Sequence, residues 1–111
     1  MNGIEIIYNN KRTLIGVKNG QTIVHINSIN SNNKKGAFLY SASIDYDNKI
    51  RHIGHKYNLI EKGDIIKIRL VNIKDTTTPI ESVYDNNITP LPSKLEMFYA
   101  LETSLKSKGL L

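Results

Sequence analysis

The sequence contains no cysteine and no tryptophan, and its apolar residues never form a long uninterrupted run. Without cysteine, the chain has no disulfide, no thiolate metal ligand and no cysteine nucleophile. Because no apolar run approaches the roughly 18 residues of a membrane-spanning helix, we expect no membrane association. The first residues lack the basic and apolar regions of a signal peptide, which predicts a cytoplasmic location.

Length and composition indicate an ordinary globular chain with an uneven distribution of charge. The 111 residues, 40% of them hydrophobic, predict a single domain spanning 1–111 with a core of its own. Segment 49–74 carries seven basic and two acidic residues and so accounts for the whole net charge of +5. Such a stretch attracts nucleic acid, anionic lipid or an acidic protein surface, or it is the solvated face of a sheet.

Alternating apolar and polar residues between turn signals predict a mainly β fold. We expect a compact β-sandwich or partly open barrel of about six strands, closed by one C-terminal α-helix. The predicted strands cover 4–8, 12–17, 22–29, 38–44, 49–53 and 65–73. The β-rich core is therefore assigned to residues 1–73.

The best-patterned strand follows the turn Lys62-Gly63-Asp64 and is predicted to be central. Gly63 takes a positive φ without steric cost, and an aspartate after it bonds the turn backbone. Ile66, Ile68 and Leu70 are expected to point to one face of this strand, and Lys67 and Arg69 to the other. Asn19-Gly20 and Asn9-Asn10 are the other strong turn signals, and the second joins the first two strands into a hairpin.

The C-terminal third departs from the strand pattern. Residues 74–92 are polar and contain prolines, which predicts a crossover that is either ordered on the sheet or loosely connected. Residues 93–108 are predicted to form the helix, with Ser93 and Glu96 as a capping box and Gly109 ending it. The apolar stripe of this helix is Leu95, Phe98, Leu101 and Leu105. We expect it to pack on the sheet, with a partner-binding helix as the alternative.

Candidate catalytic and metal-binding residues are few. His52 and His55 lie three apart, which in a regular strand puts them on opposite faces, and no carboxylate cluster completes a ligand set. His25 is expected to be a half-buried structural residue, and Asp45 and Asp47 are expected to form a turn. A paired-histidine ribonuclease with a nearby lysine is the enzymatic alternative. We predict no enzyme activity, no metal and no cofactor.

The candidate binding residues lie in the basic segment. Lys49, Arg51, Lys67 and Arg69 would share one face if their strands paired, and Tyr57 adds an aromatic ring nearby. Basic side chains interleaved with aromatic rings are typical of nucleic-acid binding, and tyrosine and arginine are also enriched at protein interfaces.

The spacing of several residues in 49–108 resembles a family of small, largely uncharacterised bacterial proteins. The family pattern is His-hydrophobic-x-Trp, a Leu, a Gly-Asp turn, an alternating strand and a later Pro, followed by a closing helix. Here the matching residues are His52-Ile53-Gly54-His55, Ile60, Gly63-Asp64, Ile66/Ile68/Leu70 and Pro79. His55 replaces the Trp, which implies an aromatic packing position rather than a catalyst. The resemblance supports the fold, implies no activity, and suggests genes that lie near toxin–immunity loci.

Two functions follow as hypotheses. The first is a non-catalytic module that recognises another protein, as an immunity or accessory protein of a bacterial toxin system. The second is a nucleic-acid-binding β-barrel that uses segment 49–74. Against inhibition of a nuclease, such inhibitors mimic phosphate with acidic surfaces, and this chain is basic.

Overall fold

The computed structural model describes residues 1–90 and 94–109 and confirms the mainly β fold with one C-terminal helix. The described elements are β1 (Asn2–Tyr8), β2 (Lys11–Gly16), β3 (Gly20–Asn30), β4 (Lys35–Asp45), β5 (Ile50–Ile60), β6 (Ile66–Asn72), β7 (Glu81–Tyr84) and α1 (Lys94–Ser107). The strands form two antiparallel sheets in a sandwich-like arrangement, which does not close into a barrel over the residues described.

The core lies between the two sheets. The three-stranded sheet has the order β2-β1-β6, and the four-stranded sheet has the order β3-β4-β5-β7. Ile6, Tyr8 and Ile15 of the first sheet pack with Leu39 of the second. Burial of each such side chain stabilises the fold by about 1.5–3 kcal/mol, so this cluster is the main link between the sheets.

Two of the predicted turns have the expected backbone geometry. Asn9 and Asn10 join β1 to β2 with φ of 52° and 62°, the left-handed pair that matches the twist of a hairpin. Gly63 has φ of 91°, and Asp64 Oδ2 accepts hydrogen bonds from Glu61 N and the Tyr8 hydroxyl, both at 2.9 Å. Asp64 thus ties the turn to β1 and to the core.

The strand after Gly63 is an edge strand, and its predicted central position is wrong. β6 pairs only with β1 among the described strands. Its inward face does continue the face of Ile4 and Ile6, since Leu70 lies opposite Ile4 and Ile68 opposite Ile6. Leu70 is nevertheless 82% exposed. Alternation identifies the two faces of a strand, but it does not reveal whether another layer covers them.

β5 runs to Ile60 instead of ending at residue 53, because two bulges interrupt its alternation. Ile53 lies opposite Ala42 and His55 opposite Ser41, which leaves Gly54 as an extra residue. Beyond it, Lys56 and Tyr57 together oppose one residue of β4. A further short strand, β7, lies in the predicted crossover 74–92 and pairs with β5.

Asn19-Gly20 is not a hairpin turn. Neither residue has a positive φ, and the connection passes from β2 in one sheet to β3 in the other. Gly20 is needed for a different reason: a Cβ at this position would collide with the carbonyl oxygen of Ile44. The glycine therefore serves close strand approach rather than chain reversal.

α1 ends as predicted but does not bury its apolar stripe. Gly109 has φ of 72°, and its N–H donates to the carbonyl of Lys106 at 3.0 Å. Phe98 and Leu101 are each 59% exposed, so the prediction that this stripe packs on the sheet is wrong for these two side chains, whereas Leu105 is half-buried. The predicted cap at Ser93 and the side chain of Leu95 lie outside what the structure describes.

Candidate binding face of the four-stranded sheet

The predicted basic residues fall on different sheets. Lys49 and Arg51 belong to the turn before β5 and to β5 itself, whereas Lys67 and Arg69 lie on β6. β5 and β6 do not pair in the described structure, so these four residues do not form the single stripe that pairing would have produced. Tyr57 lies on β5, in the same sheet as Arg51.

Two of the four charges are already occupied within the protein. Arg69 Nη2 lies 3.0 Å from Glu5 Oε1, and Arg12 Nε lies 2.6 Å from Glu5 Oε2. Glu5 is 3% exposed, and its hydrogen bond from Arg12 lowers the pKa of its carboxyl despite its burial, with Arg69 adding to the effect. Lys49 Nζ donates to the carbonyl oxygen of Ile88.

Three aromatic rings instead form a row across β3, β4 and β5. His25 lies opposite Tyr40 in the strand register, with 6.2 Å between the ring centroids. The Tyr40 and Tyr57 centroids are 5.1 Å apart at an interplanar angle of 31°. Arg51 Nη1 donates to the Tyr40 hydroxyl at 3.2 Å, which raises the pKa of the guanidinium and fixes its cation beside the row.

The position of Tyr57 depends on a strained backbone. Tyr57 has φ of 53°, in the left-handed region that bulky residues rarely adopt. This residue is one of the two that form the second bulge of β5, and it is 65% exposed. A left-handed non-glycine residue costs about 1–3 kcal/mol, and such strain clusters at binding and active sites. The bulge directs an exposed ring towards Tyr40.

Apolar and basic side chains extend the row at one end. Phe38 lies two residues before Tyr40, so it shares the same face, and Leu59 lies opposite Phe38. Lys34 Nζ lies 5.3 Å from the centroid of the Phe38 ring. We use the name aromatic face for these residues together: His25, Phe38, Tyr40, Arg51, Tyr57 and Leu59.

β3 is a long and unprotected sheet edge, and its His25 is exposed, so the prediction of a half-buried histidine is wrong. β3 pairs with β4 without a register shift from Gly20–Asp45 to Asn30–Lys35, and it is the terminal strand of its sheet. Its sequence has no Lys, Arg, Asp, Glu or Pro. Charges, prolines and bulges are the usual devices that keep an edge from pairing with another chain.

The other sheet edges are each protected. Leu14 of β2 donates its N–H to Thr77 Oγ1, and Thr77 N–H donates to the Leu14 carbonyl, both at 2.9 Å. β7 is only four residues long, and β6 carries Lys67 and Arg69. The edge beside the aromatic face is therefore the one best suited to accept a further strand.

The histidines of β5 lie on one face, and their predicted opposite orientation is wrong. His55 pairs with Ser41 and His52 with Ser43, and these two serines share a face because they are two residues apart. The extra residue Gly54 shifts the alternation by one. When a bulge lies between two residues of a strand, their spacing in the sequence does not tell which face each one occupies.

The two histidines have different environments. His55 is buried, and its Nδ1 lies 2.7 Å from Ser41 Oγ. Burial lowers the pKa of His55, with the nearby Lys11 adding to the effect, so the neutral imidazole is favoured. In the described residues no three His, Asp or Glu side chains are grouped so as to hold a metal ion.

Asp45 has the structural role that its turn sequence indicates. Asp45 Oδ1 accepts from Asp47 N–H at 3.0 Å and from Asn48 N–H at 3.2 Å. Its Oδ2 accepts from the Asn48 amide at 2.7 Å, and these bonds lower the pKa of the carboxyl. The prediction that 45–48 form a turn is confirmed.

Over the residues described, no helix combines the length and apolar character needed to cross a membrane. No protein-family model matches the chain, and no curated protein or solved structure matches it either. The resemblance noted for segment 49–108 therefore stays a prediction.

Sequence reasoning identified Tyr57 and Arg51 but not the residues that complete the aromatic face. Phe38 and Tyr40 alternate visibly along one strand, which was the available signal. Their proximity to Tyr57 depends on the β4–β5 register and on a bulge, and their proximity to His25 on the β3–β4 register.

Proposed function

We propose that this protein is a non-catalytic module that binds another protein through β3 and the aromatic face. The partner supplies an extended segment that adds to β3 as a fifth strand of its sheet. Every second side chain of that segment then lies on the same side of the sheet as the aromatic face, next to His25, because side chains alternate across a strand. The observation that carries the proposal is the regular, uncharged edge of β3 directly beside a row of mutually tilted rings.

Main-chain hydrogen bonds and side-chain contacts would have separate roles in such a complex. Strand addition supplies affinity with little dependence on sequence, whereas pockets for alternate side chains supply specificity. Tyrosine and arginine are the residue types that most often dominate interface energies. Tyr57, exposed and aimed at Tyr40, is the expected anchor.

Charge favours an acidic partner segment. The cationic groups at the aromatic face are Arg51 and Lys34, and β3 itself is uncharged. Carboxylates on the partner would meet these groups, and the net charge of +5 would accelerate their encounter.

A nucleic-acid ligand has less support from the same contacts. Lys56 Nζ lies 2.8 Å from Glu81 Oε2, and Lys49 and Arg69 also have partners within the protein. Few cations beside the rings are left for phosphates, which supply most of the affinity in nucleic-acid binding. Nucleic acid is therefore the alternative outcome of the test rather than the proposal.

Selection of peptides from a random displayed library against the immobilised protein tests the proposal. We expect the selected peptides to alternate apolar and other residues, to carry Asp or Glu, and to protect β3 amides from hydrogen exchange. Tyr57→Ala should weaken their binding about 30-fold, as for an interface anchor worth about 2 kcal/mol.

Tyr84→Ala is the matched control, because Tyr84 is also 65% exposed but lies on β7 outside the aromatic face. This variant should bind the selected peptides like the unaltered protein. Equal binding by the Tyr57→Ala protein would overturn the proposal. So would tighter binding of a single-stranded oligothymidine than of any peptide at 150 mM salt.

The finer hypothesis, an immunity or accessory protein of a bacterial toxin system, is a proposal about the identity of the partner. A gene for a large secreted toxin directly beside this one would support it. The β3 edge would then be expected to bind a strand of that toxin.

A further inference from the structure

A cleft between the two sheets lies apart from the aromatic face. It occupies about 290 Å³ and is bordered by β2 and β5, with Thr13, Ser43, His52 and Gly54 among its lining residues. Segment 76–79 covers one side of it. Its size is at the lower end of the range for small-molecule sites, so it fits a compact ligand.

The covering segment is fastened to both sheets. Thr77 exchanges two hydrogen bonds with Leu14 of β2, and Ile80 N–H donates to the carbonyl of Ile53 of β5 at 2.9 Å. The wall of the cleft is therefore held by backbone bonds at both ends.

Two residues of the cleft, Ser43 and Thr13, are buried but carry hydroxyl groups that make no hydrogen bond within the described protein. Ser43 is 3% exposed and Thr13 is 5% exposed, and both line the cleft. Neither hydroxyl group makes a hydrogen bond to a described residue. By contrast, every described side-chain nitrogen or oxygen that is shut off from solvent does have a hydrogen-bond partner. The small exposed areas of Ser43 and Thr13 must therefore include the hydroxyl oxygens, and both residues line the cleft. Because these oxygens keep some access to solvent, they are free to bond water or a ligand in the cleft.

The cleft is lined by one basic side chain and one imidazole. Lys18 and His52 line it, whereas no Asp or Glu does so among the described residues. His52 Nδ1 lies 2.9 Å from Ser82 Oγ, and its Nε2 has no partner in the described structure. Hydroxyl donors, an imidazole and a lysine without a carboxylate form a surface complementary to an anion.

We propose that this cleft binds a small oxyanion, a carboxylate or phosphate group carried by a compact organic molecule. Ser43 and Thr13 hydroxyls donate to the anionic oxygens, His52 Nε2 contributes a third donor, and Lys18 supplies charge at the rim. Ile15, Val17 and Pro79 line the same cleft and would contact the apolar part of the molecule. This site is independent of the proposed protein-binding face.

Amide NMR of the full chain, titrated with four probes, tests the site. The probes are inorganic phosphate, phenyl phosphate, acetate and benzoate at constant ionic strength, with sodium chloride as the blank. We expect saturable shifts at Thr13, Ser43, Gly54 and Thr77 with at least one aromatic probe. Comparing the two phosphate probes with the two carboxylate probes then identifies which oxyanion the cleft prefers.

Ser43→Ala and His52→Gln should each weaken this binding about tenfold, as expected for loss of a hydrogen bond to a charged group. Ser107→Ala, on the exposed surface of α1, should leave it unchanged. Lys18 is exposed, so Lys18→Gln should fold normally and provides a third variant if a buried substitution unfolds the protein. Absence of saturable shifts, or binding unaffected by all three cleft variants, would overturn the proposal.

Discussion

At the scale of single residues, Glu5 illustrates how a buried charge is retained on a small sheet. Its carboxylate is covered by Arg12 from β2 and Arg69 from β6, so it joins all three strands of its sheet. A buried carboxylate is tolerated when its oxygens are hydrogen-bonded and its charge is paired, and both conditions hold here.

Glu5→Gln should lower the melting temperature at pH 7 by a few degrees, because both arginines lose their partner. The pKa of Glu5 is depressed below its ordinary value of 4.5 in the folded protein. The ionised carboxylate therefore stabilises the fold above pH 4.5, and this contribution disappears as the pH falls through the folded pKa. The difference between variant and unaltered protein should shrink accordingly in melts between pH 7 and pH 3.

Glu102→Gln is the control for this experiment. Glu102 pairs with Lys106 at 2.9 Å on the exposed surface of α1, where such pairs contribute little. A melting temperature of Glu5→Gln that matches Glu102→Gln at pH 7 would contradict the stabilising role of Glu5. Asp45 also has a lowered pKa, so some acid sensitivity should persist in both variants.

At the scale of secondary-structure elements, α1 leaves much of its apolar surface unburied. Met97, Phe98, Tyr99 and Leu101 are all more than half exposed. The terminal features of a helix are encoded locally, by residues such as Gly109 that accept a left-handed backbone. What a helix packs against depends on distant parts of the chain.

Leu101→Ala should cost at most about 0.5 kcal/mol of unfolding free energy, because substitutions of exposed residues rarely cost more. Ile6→Ala is the comparison, since Ile6 is fully buried and its truncation should cost about 2–5 kcal/mol. Urea unfolding of both variants measures the difference. A loss of 2 kcal/mol or more in Leu101→Ala would instead support the helix packing that the sequence predicted.

The elements show which features could be predicted and which could not. The turns at Asn9-Asn10 and Gly63 were predictable because their backbone geometry depends on the turn residues themselves. The edge position of β6 was not, because strand order depends on pairing between distant segments. β7 was missed because four residues inside a polar connection carry too little alternation to be recognised.

The candidate binding face also combines residues that could be predicted from the sequence with residues that could not. Tyr57 and Arg51 were selected as an aromatic and a basic residue in a positively charged segment, and the structure places them in one sheet. Strand register places His25 opposite Tyr40. Tyr57 approaches Tyr40 because Tyr57 itself has a left-handed backbone at a bulge. Neither composition nor periodicity predicts such a bulge, so the complete aromatic face could be identified only from the folded structure.

At the scale of the whole molecule, positive charge is spread over both sheets rather than concentrated. Lys49 and Arg51 lie with the four-stranded sheet and Lys67 and Arg69 with the three-stranded one, where Arg69 is paired with Glu5. Although the chain carries a net charge of +5, these four described residues do not form one continuous cationic surface. Long-range attraction of anions follows from net charge, whereas tight binding needs several cations on one surface.

This distribution of charge predicts weak binding to duplex DNA, with an affinity that depends only modestly on salt concentration. Each phosphate contact contributes about −0.9 to the log–log salt slope, so four simultaneous contacts would give about −3.6. With the basic residues divided between two sheets, two contacts at a time are expected, for a slope no steeper than about −1.8. Fluorescence anisotropy from 50 to 300 mM salt measures it, with Kd expected to be weaker than about 1 µM at 150 mM, within the non-specific range.

Lys67→Gln is the informative variant, because Lys67 lies on the charged edge strand while Arg69 also supports Glu5. Its substitution should change neither the slope nor the melting temperature appreciably. A slope near −3.6 that becomes shallower by about one unit in Lys67→Gln would mean that Lys67 contacts phosphate together with the other basic residues. Binding tighter than micromolar at 150 mM salt would then favour a nucleic-acid ligand, and the protein-partner proposal would have to be abandoned.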